Sequence, residues 1–190
     1  MRNINLIIVI GAALALSVIV FWQSRYSDLR VELIKRSIPM EIIKITSNVF
    51  VDNGNILPRF TCDGANVSPP LEIAGVPGNA KSLVFIMHDP DAPRAGGWTH
   101  WIKFNMSPKI QTIKEDEEPL GESGKGSGGS LRYEGPCPPS GTHHYIFRVY
   151  GLDSTLNLPI GVQKEQLEQS MAGHIVAQGE LVGLYSRMFK

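Results

Sequence analysis

Two short segments of the chain concentrate side chains that can bind anions or transfer protons. The first, HDPDAPRAGGWTHW at 88–101, contains two aspartates and two histidines, and the second, GPCPPSGTHHYIF at 135–147, contains two more histidines and a tyrosine. Imidazolium and phenol groups donate hydrogen bonds that suit phosphate, and a carboxylate beside an imidazole favours its charged form. The pattern predicts a site for a phosphate or zwitterionic headgroup, and the same residue types also resemble an Asp/His metal set.

Prolines in the first segment restrict the backbone around both aspartates. Pro90 and Pro93 flank Asp89 and Asp91 directly after a predicted buried strand, which is where binding loops usually lie. Either aspartate could instead only cap a turn, and for Asp91 that role and a binding role have equal support. We expect Asp89 to line the site, with Asp91 and Pro93 in supporting positions.

Side-chain alternation along the predicted strands assigns the histidines to faces. His143 and Tyr145 share one face and His144 lies on the other, because the side-chain period of a strand is two. On the earlier strand, alternation groups His100 with three hydrophobic residues on one face, so a purely structural role is the alternative for this histidine. The three are Trp98, Ile102 and Phe104.

The elements that position these residues are mostly strands. Apolar or alternating runs predict strands at 42–46, 82–87, 99–106, 143–150 and 175–185. One helix is predicted at 163–173, with Leu167 and Met171 at i,i+4 spacing and Gly173 as its stop. A content of 19 glycines and 13 prolines favours turns over long helices, so we predict a mainly β, mostly antiparallel domain.

Composition excludes several classes of protein. Lys+Arg and Asp+Glu both number 18, which gives no basic surplus for nucleic acid. The chain lacks the motifs C-x-x-C, G-x-S-x-G and H-E-x-x-H, so we expect no metal, no cofactor and no catalysis.

The two cysteines, Cys62 and Cys137, could form a disulfide or remain as buried thiols. Both flank the two motifs in turn-rich segments, so we expect them to lie near each other at the outer wall of the pocket.

The N-terminal segment predicts a membrane anchor. Leu6–Trp22 is an uncharged run that would span about 26 Å as a helix, against a bilayer core of roughly 30 Å. Cleavage after an A-x-A pattern at 13–15 would leave an exposed apolar end, so we favour an uncleaved anchor at 1–22. A stalk at 23–37 and a folded domain at 38–190 would follow.

The orientation signals conflict. Four basic residues follow the span, which by the positive-inside rule would place the domain in the cytoplasm. The short basic head containing Arg2 instead resembles a signal anchor, and we favour a single-pass protein with an extracytoplasmic domain. The four residues are Arg25, Arg30, Lys35 and Arg36.

Several motifs together resemble the phosphatidylethanolamine-binding protein family, in particular its prokaryotic, Raf-kinase-inhibitor-like branch. The resemblance rests on DPDAP (89–93), GWTHW (97–101), GPCPPSGTHHYIF (135–147) and the flanking segments 60–83 and 171–187. It covers about Ile42–Arg187. It implies an antiparallel β-sandwich with a large central sheet, few short helices and a small anion pocket near the surface.

The resemblance also implies which residues form the pocket. They are the side chains of Asp89, His100, His143 and Tyr145, with backbone from Gly135 and Pro136. It further implies a cis peptide bond at Ala92–Pro93. The second family motif usually has arginine where this chain has His144, which changes the rim of the pocket.

The leading functional hypothesis is a membrane-anchored binding protein for a phosphate or phospholipid-headgroup ligand. Both imidazoles would donate to the anion, so binding should weaken above pH ~6.5. One alternative is an inhibitor or scaffold that acts on a kinase or protease through its surface, as family relatives do. A histidine-dependent hydrolase ranks last, because no nucleophile is evident.

Overall fold

The computed structural model describes residues 21–27, 30 and 40–187. Residues 21–27 are helical, and a separate unit begins at Met40. The predicted span Leu6–Trp22 lies outside the described residues except for its last two, so the anchor stays a prediction. Within the described part of the chain, no helix is both long and apolar enough to cross a membrane.

Residues 40–187 form mainly strands with two short helices. The helices are a 3₁₀ turn at Pro58–Phe60 and α1 at Lys164–Met171. The strands are β1 (Glu41–Ile42), β2 (Lys44–Thr46), β3 (Gly54–Asn55), β4 (Leu71–Ala74), β5 (Ser82–Asp89), β6 (Trp98–Met106), β7 (Thr112–Ile113), β8 (Glu122–Ser123), β9 (Thr142–Leu152) and β10 (Ile175–Ser186).

Seven strands form the large sheet in the order β1-β10-β9-β5-β6-β8, with β3 also paired to β10. The central pairs are antiparallel, and only the short strands β1 and β3 run parallel to β10 among the strands described. A second sheet, β2-β4-β7, is antiparallel. The predicted mainly β domain with a large central sheet is therefore confirmed.

The large sheet is covered on both faces. Phe85 and Met87 of β5 pack with the small sheet in one hydrophobic core, and Val84 and Ile86 pack in a second core that includes Leu167 of α1. Because both faces of β5 are buried, its sequence is a continuous apolar run rather than an alternating one. This central position holds the end of β5 firmly in place.

The predicted 42–46 strand is divided between the two sheets. β1 pairs with β10, and β2 pairs with β4 two residues later. At the crossing, a Cβ on Gly179 would lie 1.8 Å from the Ile43 carbonyl oxygen, so only glycine permits this approach. The predicted helix is confirmed: α1 follows its N-cap Gln163 and precedes Gly173, which has φ of +80°.

Candidate functional site

A cavity of about 460 Å³ opens where three strands of the large sheet meet. β5 ends at Asp89, β6 begins at Trp98 and β9 begins at Thr142, so all three reach the same edge. The four side chains predicted for the pocket all border this cavity. The lining residues are Cys62, Asn66, Asp89, Ala92, Pro93, Arg94, Trp98, His100, Glu134, Gly135, Cys137, Pro138, Pro139, His143 and Tyr145.

Asp89 and His143 form a buried pair at the centre of the site. His143 Nδ1 lies 2.7 Å from Asp89 Oδ2, and both side chains are less than a tenth exposed. The other oxygen, Oδ1, accepts from the backbone N–H groups of Asp91 and Ala92, so Asp89 also caps its own turn. These contacts fix His143 through Nδ1 and leave Nε2 as the ring nitrogen available to a ligand.

A β-bulge turns His100 toward the cavity. Met87 pairs with Trp101 but His88 pairs with Thr99, so His100 is an extra residue on β6. The expectation that His100 shares a face with Ile102 and Phe104 is therefore wrong, because those two residues pack in the core on the α1 side. The His100 ring instead contacts Tyr145 edge-on, with 5.3 Å between centroids.

His100 is neutral at ordinary pH. Its Nδ1 lies 2.8 Å from the Glu134 carbonyl oxygen, and because a carbonyl only accepts, Nδ1 carries the hydrogen. Burial lowers the pKa of His100 to about 4, although the bond to Glu134 opposes this shift. Nε2 therefore presents a lone pair. The prediction that this imidazole donates a hydrogen bond to the anion is wrong except at acidic pH.

Tyr145 supplies the hydroxyl at the floor of the cavity. Its side chain is fully buried, and its hydroxyl has no hydrogen-bond partner of normal geometry among the described residues. Burial, and next the negative charge of Asp89, raise the pKa of this phenol. Tyr145 therefore keeps its hydrogen and can donate it to a ligand.

A disulfide closes one wall of the cavity. Cys62 and Cys137 are bonded, with their Cα atoms 5.5 Å apart, and both line the cavity, which confirms that they lie close together. The Cys62 N–H donates to the Pro136 carbonyl, and the Gly135 N–H donates to Asn66 Oδ1. The backbone expected from Gly135 and Pro136 is thus engaged in the wall, and Pro136 itself does not line the cavity.

The rim carries a second Asp–His pair. His144 lies on the opposite face of β9 from His143, and its Nδ1 and backbone N–H both contact Asp91 Oδ2. These bonds, with the imidazole bond first, lower the pKa of Asp91. Asp91 does not line the cavity. The pair restrains the Asp91 turn and does not contact the cavity.

The Ala92–Pro93 bond is trans, as are all peptide bonds of the described residues, so the cis expectation is wrong. The trans form of an X–Pro bond is favoured by about 0.5–1 kcal/mol in the absence of other constraints. Here the turn closes with a hydrogen bond from the Arg94 N–H to the Ala92 carbonyl. Pro93 still lines the cavity, as the supporting position assigned to it requires.

Sequence reasoning missed four polar or aromatic lining residues. Arg94 stacks over the Trp98 ring, with 5.7 Å from its guanidinium carbon to the ring centroid. Glu134 fixes His100 through its backbone carbonyl, and burial raises the pKa of its own carboxyl. Asn66 holds Gly135. Arg94 and Trp98 lie inside the first motif, so their position in the sequence could have indicated a place in the site. No motif or local pattern indicated Asn66 or Glu134.

Other possible sites are less developed. Among the described residues, no group of three His, Cys, Asp or Glu side chains is placed to hold a metal ion. A wider groove of about 900 Å³ runs along residues 40–45. Its Arg148 and Glu180 side chains pair with each other at 3.1 Å, and Glu41 and Lys44 are its other charged lining residues. The candidate site is the cavity at the strand ends, because the predicted site residues converge there.

Fold and cavity together define a class of mainly β, two-sheet proteins with an open cavity at the strand ends that contains histidine, tyrosine and aspartate side chains. The family model for phosphatidylethanolamine-binding proteins matches residues 46–186. The chain belongs to this family. The predicted resemblance, including its prokaryotic branch, is confirmed.

Several relatives extend the match. A UPF0098 protein of Methanothermobacter thermautotrophicus is 46% identical over 151 residues, covering 76% of this chain and 99% of the relative. A UPF0098 protein of Pyrococcus abyssi is 48% identical and covers 77% of this chain and 86% of its own length.

Two solved structures share the fold. A phosphatidylethanolamine-binding protein homologue from Chlamydia trachomatis superposes with a TM-score of 0.74 at 40% identity. Escherichia coli YbcL superposes with a TM-score of 0.72 at 26% identity. Each covers 77% of this chain and 99% of its own length.

Proposed function

We propose that this protein is a non-catalytic binding protein whose cavity takes a small oxyanion, the phosphate group of a phosphorylated small molecule or of a phospholipid headgroup. The observation that carries the proposal is the convergence of His143, Tyr145 and His100 on one open cavity with unsatisfied polar atoms. Buried polar groups usually have partners, so atoms left without one indicate a place for a ligand.

The charges of the cavity favour an anion held by a few directed bonds. Asp89 holds His143 Nδ1 at 2.7 Å so that Nε2 can donate to the anion, and the Tyr145 hydroxyl donates beside it. Arg94 adds a guanidinium at the wall, where it stacks on Trp98 and has no carboxylate partner among the described residues. Both oxygens of Asp89 already have partners, because Oδ2 contacts His143 and Oδ1 accepts from two backbone N–H groups of its own turn.

Adjacent histidines provide a matched test of this proposal. Replacing His143 with alanine is expected to weaken binding of inorganic phosphate at least tenfold, because charge-assisted hydrogen bonds contribute about 1.5–3 kcal/mol. Replacing His144, which lies outside the cavity, should change the affinity less than threefold. Isothermal titration of the full-length variants measures both.

Equal losses from the two alanine variants would contradict the assignment, as would an unchanged affinity in His143→Ala. A protein partner whose binding ignores His143 would favour the alternative of an inhibitor or scaffold acting on a kinase or protease. Turnover of a phosphate ester that disappears in His143→Ala would favour a hydrolase.

The proposal includes attachment to a membrane through Leu6–Trp22, with the folded domain outside the cytoplasm. The full-length chain should then need detergent for extraction, because a 17-residue apolar run is buried in lipid. A shorter chain that begins near Ile38 should be extracted without detergent. Release of the intact full-length chain by a carbonate wash would contradict the anchor.

A further inference from the structure

The state of His100 restricts which oxyanion the cavity can take. Nδ1 donates to the Glu134 carbonyl, so the neutral ring offers only an acceptor at Nε2. Nε2 is fully buried and has no partner among the described residues. A ligand that supplies a hydrogen there satisfies an otherwise unpaired acceptor, whereas a ligand that supplies only lone pairs meets repulsion.

The other groups around His100 do not remove this demand for a hydrogen. From β5, Asp89 contacts His143 and its own turn, and His88 lines a separate pocket with Ile86 on the opposite face of the sheet. From β9, the Tyr145 ring meets His100 edge-on, and its hydroxyl lies near Asp89 without a hydrogen bond of normal geometry among the described residues. The remaining ionisable groups that border the cavity are Arg94, Glu134 and His143.

The floor of the cavity therefore combines one acceptor with one donor. Tyr145 keeps its hydrogen, and His100 Nε2 requires one. A phosphate monoester that retains one acidic hydrogen matches both, because its P–OH donates and its P–O⁻ oxygens accept. Sulfate and phosphate diesters carry no such hydrogen at neutral pH, so neither satisfies His100.

Resting on the proposed anion site, we infer that the cavity selects the singly protonated form of a phosphate monoester, bound by P–OH donation to His100 Nε2, and discriminates against sulfate and phosphate diesters. The ligand class is then a phosphorylated small molecule or a lipid ending in a monoester, rather than a diester headgroup. Discrimination between a monoester and a diester comes from a hydrogen on the ligand, since both can be monoanions.

Methyl phosphate and dimethyl phosphate test this inference at equal charge. At pH 5.5 both are monoanions, because the second pKa of a phosphate monoester is about 6, but only methyl phosphate has a P–OH. Isothermal titration of the full-length protein should give at least tenfold tighter binding of methyl phosphate than of dimethyl phosphate or sulfate. From pH 5.5 to 7.5, affinity for methyl phosphate should fall about twentyfold as its P–OH ionises.

The His100→Phe variant keeps an aromatic ring but lacks the acceptor. It should bind methyl phosphate and dimethyl phosphate within threefold of each other, with thermal unfolding as the check that it folds. The comparison of ligands on the unmodified protein does not depend on this variant.

Equal affinities for the three anions would overturn the inference and leave the proposed anion site intact. A parallel loss of dimethyl phosphate binding between pH 5.5 and 7.5 would assign the pH dependence to the protein and also overturn it. Absence of binding for all three anions would overturn both proposals.

Discussion

Replacing both Cys62 and Cys137 with serine is expected to lower the free energy of unfolding by about 4 kcal/mol. The bond joins residues 75 positions apart, and a crosslink of that span strongly restricts the unfolded chain. Chain-entropy estimates run from about 3 kcal/mol for a 15-residue loop to about 4.7 kcal/mol for a 100-residue loop. The effect is large because this one bond restricts about half of the folded unit.

Urea denaturation of a chain starting at Met40, with and without the two substitutions, measures this difference. Reducing agent should lower the stability of the unsubstituted chain by a similar amount and leave the double-serine variant unchanged. A loss of less than about 1 kcal/mol would contradict this expectation. It would show that the effect of the bond on the folded protein offsets its restriction of the unfolded chain.

The second large effect expected is a loss of about 3 kcal/mol of stability through His100 between pH 7 and pH 4. The folded pKa of about 4 lies below the ordinary value of 6.5 for an exposed histidine. The folded state therefore binds the proton less readily than the unfolded state. The contribution is complete above pH 6.5 and is lost as the pH falls toward 4.

Denaturation curves at several pH values, compared between the unsubstituted chain and His100→Phe, isolate this contribution. Other carboxyl groups titrate in both proteins, so their effect cancels in the difference. Nuclear magnetic resonance titration of the His100 ring should show a neutral imidazole at pH 6. Parallel pH profiles for the two proteins would contradict the assignment of a buried neutral ring.

A neutral His100 also changes the chemistry expected of the cavity. The sequence predicted two cationic imidazoles around an anion, but the structure provides one imidazole paired to Asp89 and one neutral acceptor. The pH dependence expected for binding then comes from ionisation of the ligand itself. This is why charge-matched ligands are more informative than a single pH profile.

Much of the fold followed from local sequence. The apolar run of β5, the alternation of β9 and the spacing of α1 each marked an element whose bounds agree with the structure to within a few residues. Local patterns suffice here because burial of a strand or helix face requires apolar residues at its own period. The short strands β3, β7 and β8 gave no such signal, since two residues carry no period.

The residues of the candidate site could also be named from the sequence, because their motifs are short and specific. His143 and Tyr145 were placed on one face by strand alternation, and the register of β9 with β10 agrees. The orientation of His100 could not be predicted, because a bulge is defined by its pairing with β5 and leaves no local periodic mark.

The tertiary structure alone decided the protonation of His100 and the trans geometry of the Ala92–Pro93 turn. The partner of His100 Nδ1 is a carbonyl 34 residues away, and the burial that lowers its pKa comes from packed neighbours on other strands. The disulfide likewise joins two turns that meet only in the folded chain. Residue types determine which chemistry a site can perform, but hydrogen-bond partners and desolvation depend on neighbours that folding brings together from distant positions.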